Sequence, residues 1–232
     1  MAIAPFLAMT ASEMYAAASL PAKVAWMACH FSPYGLGLSN LPRTLPPGSL
    51  LIVSDVTPPH GHDPALIGQQ LAECAGRLQC SGILLDFQRE GCEETQAIAA
   101  HLAKVLPFPA AISECYGSTL DCPIFLPPLP PALSLESYLL PWSGRDVWLE
   151  IGLDGETLTL TEEGCKATPL PYPDHSAVGF SDRDLHCHYT IRTTEKSASF
   201  TLWRTKEDLN ALLTEAAQKG VTTAIGLYQE CG

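Results

Sequence analysis

The stretch that decides the fold is GILLDF at residues 82–87, which is almost continuously apolar and ends in an acid and an aromatic residue. The run SLLIVSD at residues 49–55 has the same character. Strands of this kind are covered on both faces, as in parallel sheets. Similar short apolar runs occur on either side of these two, at residues 3–9, 23–30, 110–115, 123–126, 146–151 and 222–228.

Amphipathic segments separate several of these strand candidates. Residues 63–78 begin with Asp-Pro and carry apolar side chains at helical spacing, and residues 93–105 and 206–219 follow the same pattern. Eight strands with helices between them predict an α/β fold, a compact (β/α)8 barrel of the TIM type, formed by one domain over residues 1–232. Because the chain is short for this fold, we expect loops to replace some crossover helices, as at the proline-rich stretches 30–48 and 127–134.

The segment between residues 154 and 204 has a different pattern. Its runs ETLTLTEE, CHYTIRT and SASFTLWR alternate polar and apolar residues. This alternation is typical of half-exposed antiparallel strands. We therefore predict a small β-rich insertion after the seventh barrel strand.

The composition excludes several classes of partner. The chain has 13 Lys+Arg against 25 Asp+Glu and a formal charge of -12. Nucleic acids and anionic membrane surfaces both require basic patches, so neither is an expected partner. No apolar run approaches the roughly 20 residues of a membrane helix.

The cysteines and the first residues predict the location. The nine cysteines are odd in number and form no C-x-x-C pair, which favours a reducing compartment. The first 22 residues lack a basic start, and Glu13 interrupts their apolar run, so we expect no signal peptide. The predicted location is the cytoplasm.

The segment SGILLDFQ at residues 81–88 resembles the D-G-x-D-x-D-x-E strand of the family 18 glycoside hydrolases. Gly82, Asp86 and the aromatic Phe87 match that pattern. Ser81 and Leu84 stand in place of two aspartates, and Gln88 stands in place of the glutamate, so the motif is degenerate.

Two further segments carry the resemblance. Residues 188–230, a hairpin, a helix and a final strand, resemble the end of the bacterial subgroup that includes the spore-cortex-lytic enzymes. Residues 145–155, RDVWLEIGLDG, resemble the seventh strand and the turn after it. The three segments occur in the expected order, which implies a chitinase-like barrel of bacterial, peptidoglycan-acting type.

In the family that the chain resembles, hydrolysis is assisted by the substrate. The glutamate protonates the glycosidic oxygen while the N-acetyl carbonyl of the sugar attacks the anomeric carbon, and the neighbouring aspartate orients that group. An amide at position 88 cannot supply the proton, although it can still form hydrogen bonds to a sugar. The main hypothesis is therefore a non-hydrolytic barrel, a pseudoenzyme, that binds a glycan containing N-acetylhexosamine or derived from peptidoglycan.

Side-chain direction adds candidate site residues to this hypothesis. Alternation along a strand places Leu84, Asp86, Gln88 and Glu90 on one face, toward the barrel interior. Its carboxyl end is where barrel enzymes have their active sites. The candidate catalytic positions are Asp86, Gln88, Glu90 and Glu114, and the candidate ligand contacts are Asp55, Tyr116, Tyr228 and His30.

Other interpretations remain open at this point. In one alternative, the only role of Asp86 is to fix a loop. The protein is alternatively an active glycosidase with Glu90 or Glu114 as the acid, or a non-enzymatic interaction protein of the spore or cell envelope. The resembled subgroup links the chain to sporulation, and a location in the mother cell or the spore would reconcile a cytoplasmic protein with a cell-wall ligand. The oligomeric state is not predictable.

The sequence contains no pattern that predicts a cofactor. His60 with His62, and His186 with His188, have the i, i+2 spacing that can place two metal ligands side by side, but neither pair has a recognised ligand spacing. A catalytic metal needs three converging ligands, so we expect none. No phosphate-binding or dinucleotide-binding motif occurs, and we expect no other cofactor.

Overall fold

A computed structural model describes residues 2–89, 91–171 and 173–232 of the chain. Fourteen strands are found among these residues. They are β1 (Phe6–Met9), β2 (Val24–Phe31), β3 (Leu38–Ser39), β4 (Leu50–Ser54), β5 (Gly82–Asp86), β6 (Ala110–Ser113), β7 (Ile124–Leu126), β8 (Val147–Ile151), β9 (Gly155–Thr161), β10 (Gly164–Leu170), β11 (Phe180–Asp182), β12 (Cys187–Thr193), β13 (Ser197–Trp203) and β14 (Val221–Leu227).

Eight of these strands form a closed parallel barrel. Their order is β1-β14-β8-β7-β6-β5-β4-β2, and β2 pairs with β1 to complete the circle. The two-residue strand β3 pairs antiparallel to β2 at its end. The predicted TIM-type barrel is therefore confirmed, and every predicted strand overlaps one of its eight strands.

The helices are α1 (Ala11–Ala16), α2 (Pro64–Leu78), α3 (Glu93–Val105), α4 (Glu114–Gly117), α5 (Leu135–Leu139), α6 (Lys206–Gln218) and α7 (Tyr228–Cys231), with a 3-10 turn at Leu140–Trp142. The three long helices α2, α3 and α6 are those that the periodicity predicts. Asp63 caps α2 by accepting a hydrogen bond from the backbone nitrogen of Ala65 at 2.9 Å. The remaining helices are at most six residues long, which is how a short chain completes this barrel.

One predicted strand turns into a helix before its predicted end. We expected an extended chain over residues 110–115, but β6 stops at Ser113 and α4 begins at Glu114. The turn is tight, since a Cβ at Gly117 would lie 2.8 Å from the carbonyl oxygen of Ile112. Only a residue without a side chain allows this approach.

The apolar side chains of the barrel strands form separate layers. In β5, Ile83 and Leu85 pack with Phe87 against α2 and α3 outside the barrel, whereas Leu84 joins the cluster inside it. The inner cluster also contains Trp148 from β8. The predicted alternation along GILLDF is confirmed, and it directs Asp86 inward.

The insertion forms a five-stranded antiparallel sheet in the order β10-β9-β13-β12-β11, between β8 and α6. This confirms the predicted β-rich insertion after the seventh barrel strand. The assignment of residues 1–232 to a single domain stays a prediction. Within the described residues, none of the helices has both the length and the apolar character that crossing a membrane requires.

Candidate functional site at the barrel mouth

Asp86 lies at the centre of the barrel mouth. It is the last residue of β5, the fourth strand of the barrel, and its side chain reaches a cavity of about 150 Å³. Ser54 from β4, Phe125 from β7 and Glu150 from β8 line the same cavity. The carboxyl ends of several strands therefore meet around one acid, as in barrel enzymes generally.

Gln88 lies directly against this acid. Its side-chain amide donates a hydrogen bond to Asp86 Oδ1 at 2.5 Å, and Ser113 Oγ donates to the same oxygen at 3.4 Å. Burial raises the pKa of Asp86, and these two hydrogen bonds offset part of that effect. The aspartate that matches the resembled motif and the glutamine that departs from it are thus in contact at the mouth.

Asp55 supports the loop that carries Gln88. It is 2 % exposed, and its carboxylate accepts hydrogen bonds from the backbone nitrogens of Gln88 at 2.9 Å and Arg89 at 3.0 Å. Arg89 Nε donates back to the carbonyl oxygen of Asp55 at 2.8 Å. Both oxygens of Asp55 are used within the protein, so the structure gives it a positioning role and does not support the expected contact with a ligand.

Glu150 is the acid that the sequence analysis missed. It shares the inner face of β8 with Trp148 and lines the same cavity as Asp86. Burial, together with the negative charges of Asp86, Glu230 and Asp154, raises the pKa of Glu150 to about 7. The signal in the sequence was its position in VWLEI, where alternation places an acid on the inner face of a buried strand.

Glu114 and Tyr116 separate from each other because the chain turns into α4. Glu114 lines a small hollow beside Gln88, together with Phe125 and Pro127. Tyr116 is 3 % exposed and packs edge-to-face on Phe87 outside the barrel, where its hydroxyl donates to the carbonyl oxygen of Arg89. Tyr116 does not line the cavity, so its position does not support the expected contact with a ligand.

The remaining candidates lie at the ends of strands. His30 in β2 is half-buried, and its Nε2 lies 3.1 Å from the amide nitrogen of Asn40, so it fixes the loop after β2. Tyr228 follows β14 as the first residue of α7, whereas its neighbour Leu227 lines the cavity. Glu90 lies outside the described residues.

Two exposed aromatic rings lie on the same side of the barrel as the mouth. Tyr15 in α1 is 97% exposed and Tyr34, between β2 and β3, is 98% exposed. Both follow the carboxyl ends of barrel strands, so they lie on the same side of the barrel as Asp86. Fully exposed aromatic rings on one face are candidates for stacking on a ligand.

The histidines of the two i, i+2 pairs bind separate groups. His186 lies 2.6 Å from a carboxylate oxygen of Glu215, and His188 lies 2.8 Å from one of Asp208. His60 contacts Glu94, and His62 Nε2 contacts the carbonyl oxygen of Gly37. In the part of the chain that the structure describes, no group of three or more His, Cys, Asp or Glu side chains is arranged to hold a metal ion.

The chain matches no known family model and no curated protein. Among 18 similar chains of solved structure is the chitinase-like agglutinin RobpsCRA from Robinia pseudoacacia, with a TM-score of 0.58 and 12% identity over 95% of this chain and 93% of that one. The chitinase from Chromobacterium violaceum has a TM-score of 0.55 and 12% identity over 96% and 93% of the two chains.

A third similar structure is the spore cortex-lytic enzyme SleL from Bacillus cereus, with a TM-score of 0.50 and 10% identity over 88% of this chain. The match spans only 63% of the SleL chain. At such low identities the likeness is one of fold. The chain has the barrel fold of the family 18 glycoside hydrolases and of the spore cortex-lytic enzymes, as the sequence resemblance predicted.

Proposed function

We propose that the barrel mouth binds a glycan that contains N-acetylhexosamine or derives from peptidoglycan, and that it does not hydrolyse this glycan through position 88. The observation that carries the proposal is the contact of Asp86 with Gln88 at the end of the fourth barrel strand. An acid and an amide stand there in the place of the two acids of the resembled motif.

The chemistry of the two groups supports binding without turnover. A side-chain amide donates and accepts hydrogen bonds, but it holds no acidic proton near neutral pH. Loss of a general acid typically costs about 10²- to 10⁴-fold in rate. The exposed rings of Tyr15 and Tyr34 add flat apolar surface on the same side of the barrel as the acid, which suits the faces of sugar rings.

The similar structures support a glycan as the ligand class. These proteins are named as a chitinase, a chitinase-like agglutinin and a spore cortex-lytic enzyme. A location in the cytoplasm, the mother cell or the spore belongs to the same proposal. So does the alternative of a non-enzymatic component of the spore or cell envelope, which would use the mouth only for attachment.

A second candidate function is an active glycosidase with Glu114 as the acid. The observation in its favour is the hollow of about 100 Å³ that Glu114 and Gln88 line together. Paired carboxyl groups are the usual equipment of glycosidases, and Asp86 would be the second member. Glu90 belongs to this alternative as well, as a candidate from the sequence.

Calorimetric titration with chito-oligosaccharides and muropeptides, beside a hydrolysis assay, tests the proposal. We expect binding without turnover, and an affinity about 3- to 10-fold lower in Tyr34→Ala, because each lost ring contact is worth about 1 kcal/mol. Phe180→Ala is the matched control, since this exposed ring lies on the insertion sheet.

The outcomes separate the candidates. Turnover by the wild-type protein that disappears in Glu114→Gln would establish the glycosidase. Hydrolysis that arises only in Gln88→Glu would identify position 88 as the former acid position. The absence of binding to every glycan tested would refute the proposal.

A further inference from the structure

The insertion sheet has one polar face and one apolar face. Paired residues of an antiparallel sheet point to the same side, so the register assigns each side chain to a face. The polar face carries mostly hydroxyl side chains, among them Thr157, Thr190, Thr201 and Ser199. The other face, here called the apolar face, carries the large side chains of Leu158, Leu160, Phe180, Tyr189, Ile191 and Phe200. Such a division is typical of a sheet that covers an apolar core.

Within the described residues, no core of this chain covers the apolar face. None of its six large side chains belongs to, or packs against, the three buried apolar clusters. Only the base of the sheet is buried against the barrel, at Leu202. Further out, Leu160 is 42% exposed, Ile191 44% and Phe180 62%. The ring of Phe180 lies 5.5 Å from that of Tyr189, so the large side chains form one continuous open surface of the kind that binds a partner.

The apolar face is uncharged although the chain is acidic. The formal charge is -12, so two copies of the chain repel each other over most of their surface. Outside the base, none of the strand positions on the apolar face carries a charged side chain, whereas Lys166 and Arg192 lie on the polar face. A second copy can therefore approach here without bringing like charges together. An anionic membrane is repelled by the net charge, and a cationic partner finds no acid on this face.

The area of the face matches that of a reversible dimer. Strands β9, β10, β12 and β13 have seven residues each, and β11 has three. With a rise of about 3.4 Å per residue and about 4.8 Å between strands, the face covers roughly 500 Å². Two such faces bury about 1,000 Å² together, which is near the lower limit for a specific interface. A contact of this size favours a dissociation constant in the micromolar range.

The edges of the same sheet are less suited to an interface than its apolar face. The edge strand β10 pairs only with β9 and carries Lys166 and Pro169. A charged side chain and a proline both oppose the addition of another strand at an edge. The opposite edge strand, β11, is only three residues long.

We propose that the apolar face docks against the apolar face of a second copy of this chain, so that two insertion sheets pack face to face in a symmetric dimer. Packed sheets lie about 10 Å apart with interdigitating side chains, which would bury the exposed parts of Leu160, Phe180 and Ile191. In a two-fold dimer both copies contribute the same patch. None of the residues proposed for glycan binding lies on this face, so the two proposals are independent.

Sedimentation velocity of the wild-type protein without ligand, from about 1 to about 500 μM, tests the proposal. We expect a monomer at the lowest concentration and mostly dimer at the highest, with a dissociation constant of about 10 to 100 μM. Raising the NaCl concentration from about 0.05 to about 0.5 M should leave this constant unchanged or lower it, because salt screens the repulsion between the acidic copies and the buried surfaces are uncharged.

Substitutions locate the contact. Ile191→Glu places two unpaired acids in the interface of each dimer, so we expect the dissociation constant to rise at least about 30-fold. Arg192→Glu is the matched control. It is the next residue on β12, lies on the polar face and changes the net charge by twice as much, yet it should alter the constant less than about 3-fold. Leu160→Ser removes an apolar contact twice per dimer and should raise the constant about 10-fold.

The remaining outcomes overturn the proposal. One is a wild-type protein that stays monomeric at every concentration. Another is a dimer that persists in Ile191→Glu, since its contact would lie elsewhere, for example along the β10 edge. Equal weakening by Ile191→Glu and Arg192→Glu would show a general effect of charge, and dissociation by salt would show an interface of ion pairs. If circular dichroism shows that Ile191→Glu does not fold, Leu160→Ser and Arg192→Glu decide the question.

Discussion

Two regions of the molecule hold buried charge in opposite ways. Arg204, at the foot of the insertion sheet, is 2 % exposed. Its guanidinium donates hydrogen bonds to the backbone carbonyl oxygens of Leu129, Pro130, Leu185 and His186. In the barrel mouth, Glu150 is half-buried and has no such partner among the described residues.

The difference separates a structural charge from one available to a ligand. A buried ion costs free energy unless the protein supplies hydrogen bonds to it, and around Arg204 the protein supplies four. Around Glu150 the protein instead places other negatively charged side chains. The first arrangement fastens the insertion to the loop after β7, whereas the second reduces stability and leaves a group free to contact a ligand.

The largest change in the free energy of unfolding is expected for a substitution of Arg204. Arg204→Met leaves the buried carbonyl oxygen of Leu129 and three partly buried carbonyl oxygens without this donor, so we expect the free energy of unfolding to decrease by about 3 to 5 kcal/mol. Urea denaturation followed by circular dichroism measures this change. The control is Arg192→Met, at an exposed position on β12, for which we expect a change below about 0.5 kcal/mol. Equal effects of the two substitutions would show that the carbonyl cage does not stabilise the fold.

At Glu150 we expect the opposite: a substitution that removes the charge should increase the free energy of unfolding at neutral and higher pH. Its pKa rises from 4.5 to about 7 on folding, so the wild-type protein loses stability as the pH rises from about 4.5 to 7, and the loss is complete above 7. A rise of this size is worth about 3 kcal/mol. Glu150→Gln should escape this loss.

Urea denaturation at pH 4.5 and pH 8 measures the effect. We expect the stability of Glu150→Gln relative to wild type to increase by about 2 to 3 kcal/mol between the two pH values. Glu162→Gln, exposed in the turn between β9 and β10, should show no such increase. If Glu150→Gln were less stable than the wild-type protein at pH 8, the contrast with Arg204 would disappear.

Asp208 is an acid that the protein does satisfy, and its effect is expected to be the smallest. Burial raises its pKa, but hydrogen bonds from Thr205 and His188 outweigh this, and the net pKa is lowered. Its stabilisation is therefore present at neutral pH and lost as the pH falls through the folded-state pKa. Asp208→Asn should cost about 1 kcal/mol at pH 7 and almost nothing at pH 2.

Denaturation at the two pH values tests Asp208. The control is Glu207→Gln, at the exposed neighbouring position in the first turn of α6. A cost that persists at pH 2 would show that packing, and not the hydrogen bonds of the ionised carboxylate, accounts for the effect. The three substitutions together order Arg204, Glu150 and Asp208 by how completely the protein supplies each charge with hydrogen bonds.

The barrel and part of its mouth were predictable because they depend on local patterns. Each strand carries its own apolar run, and alternation within GILLDF was enough to direct Asp86 inward. Glu150 was missed because its significance depends on Asp86, which approaches it only when β5 and β8 close into one barrel. Tyr116 was misplaced because the turn at Gly117 depends on close packing against Ile112, which no local pattern reveals.

The support that Asp55 gives to the loop after β5 has a consequence for the history of the site. The backbone amides of Gln88 and Arg89 are held by an acid on the neighbouring strand, so the shape of the loop does not depend on the side chain at position 88. A glutamate codon becomes a glutamine codon by a single base change. An exchange between glutamate and glutamine at position 88 therefore leaves in place the backbone that presents this side chain at the barrel mouth.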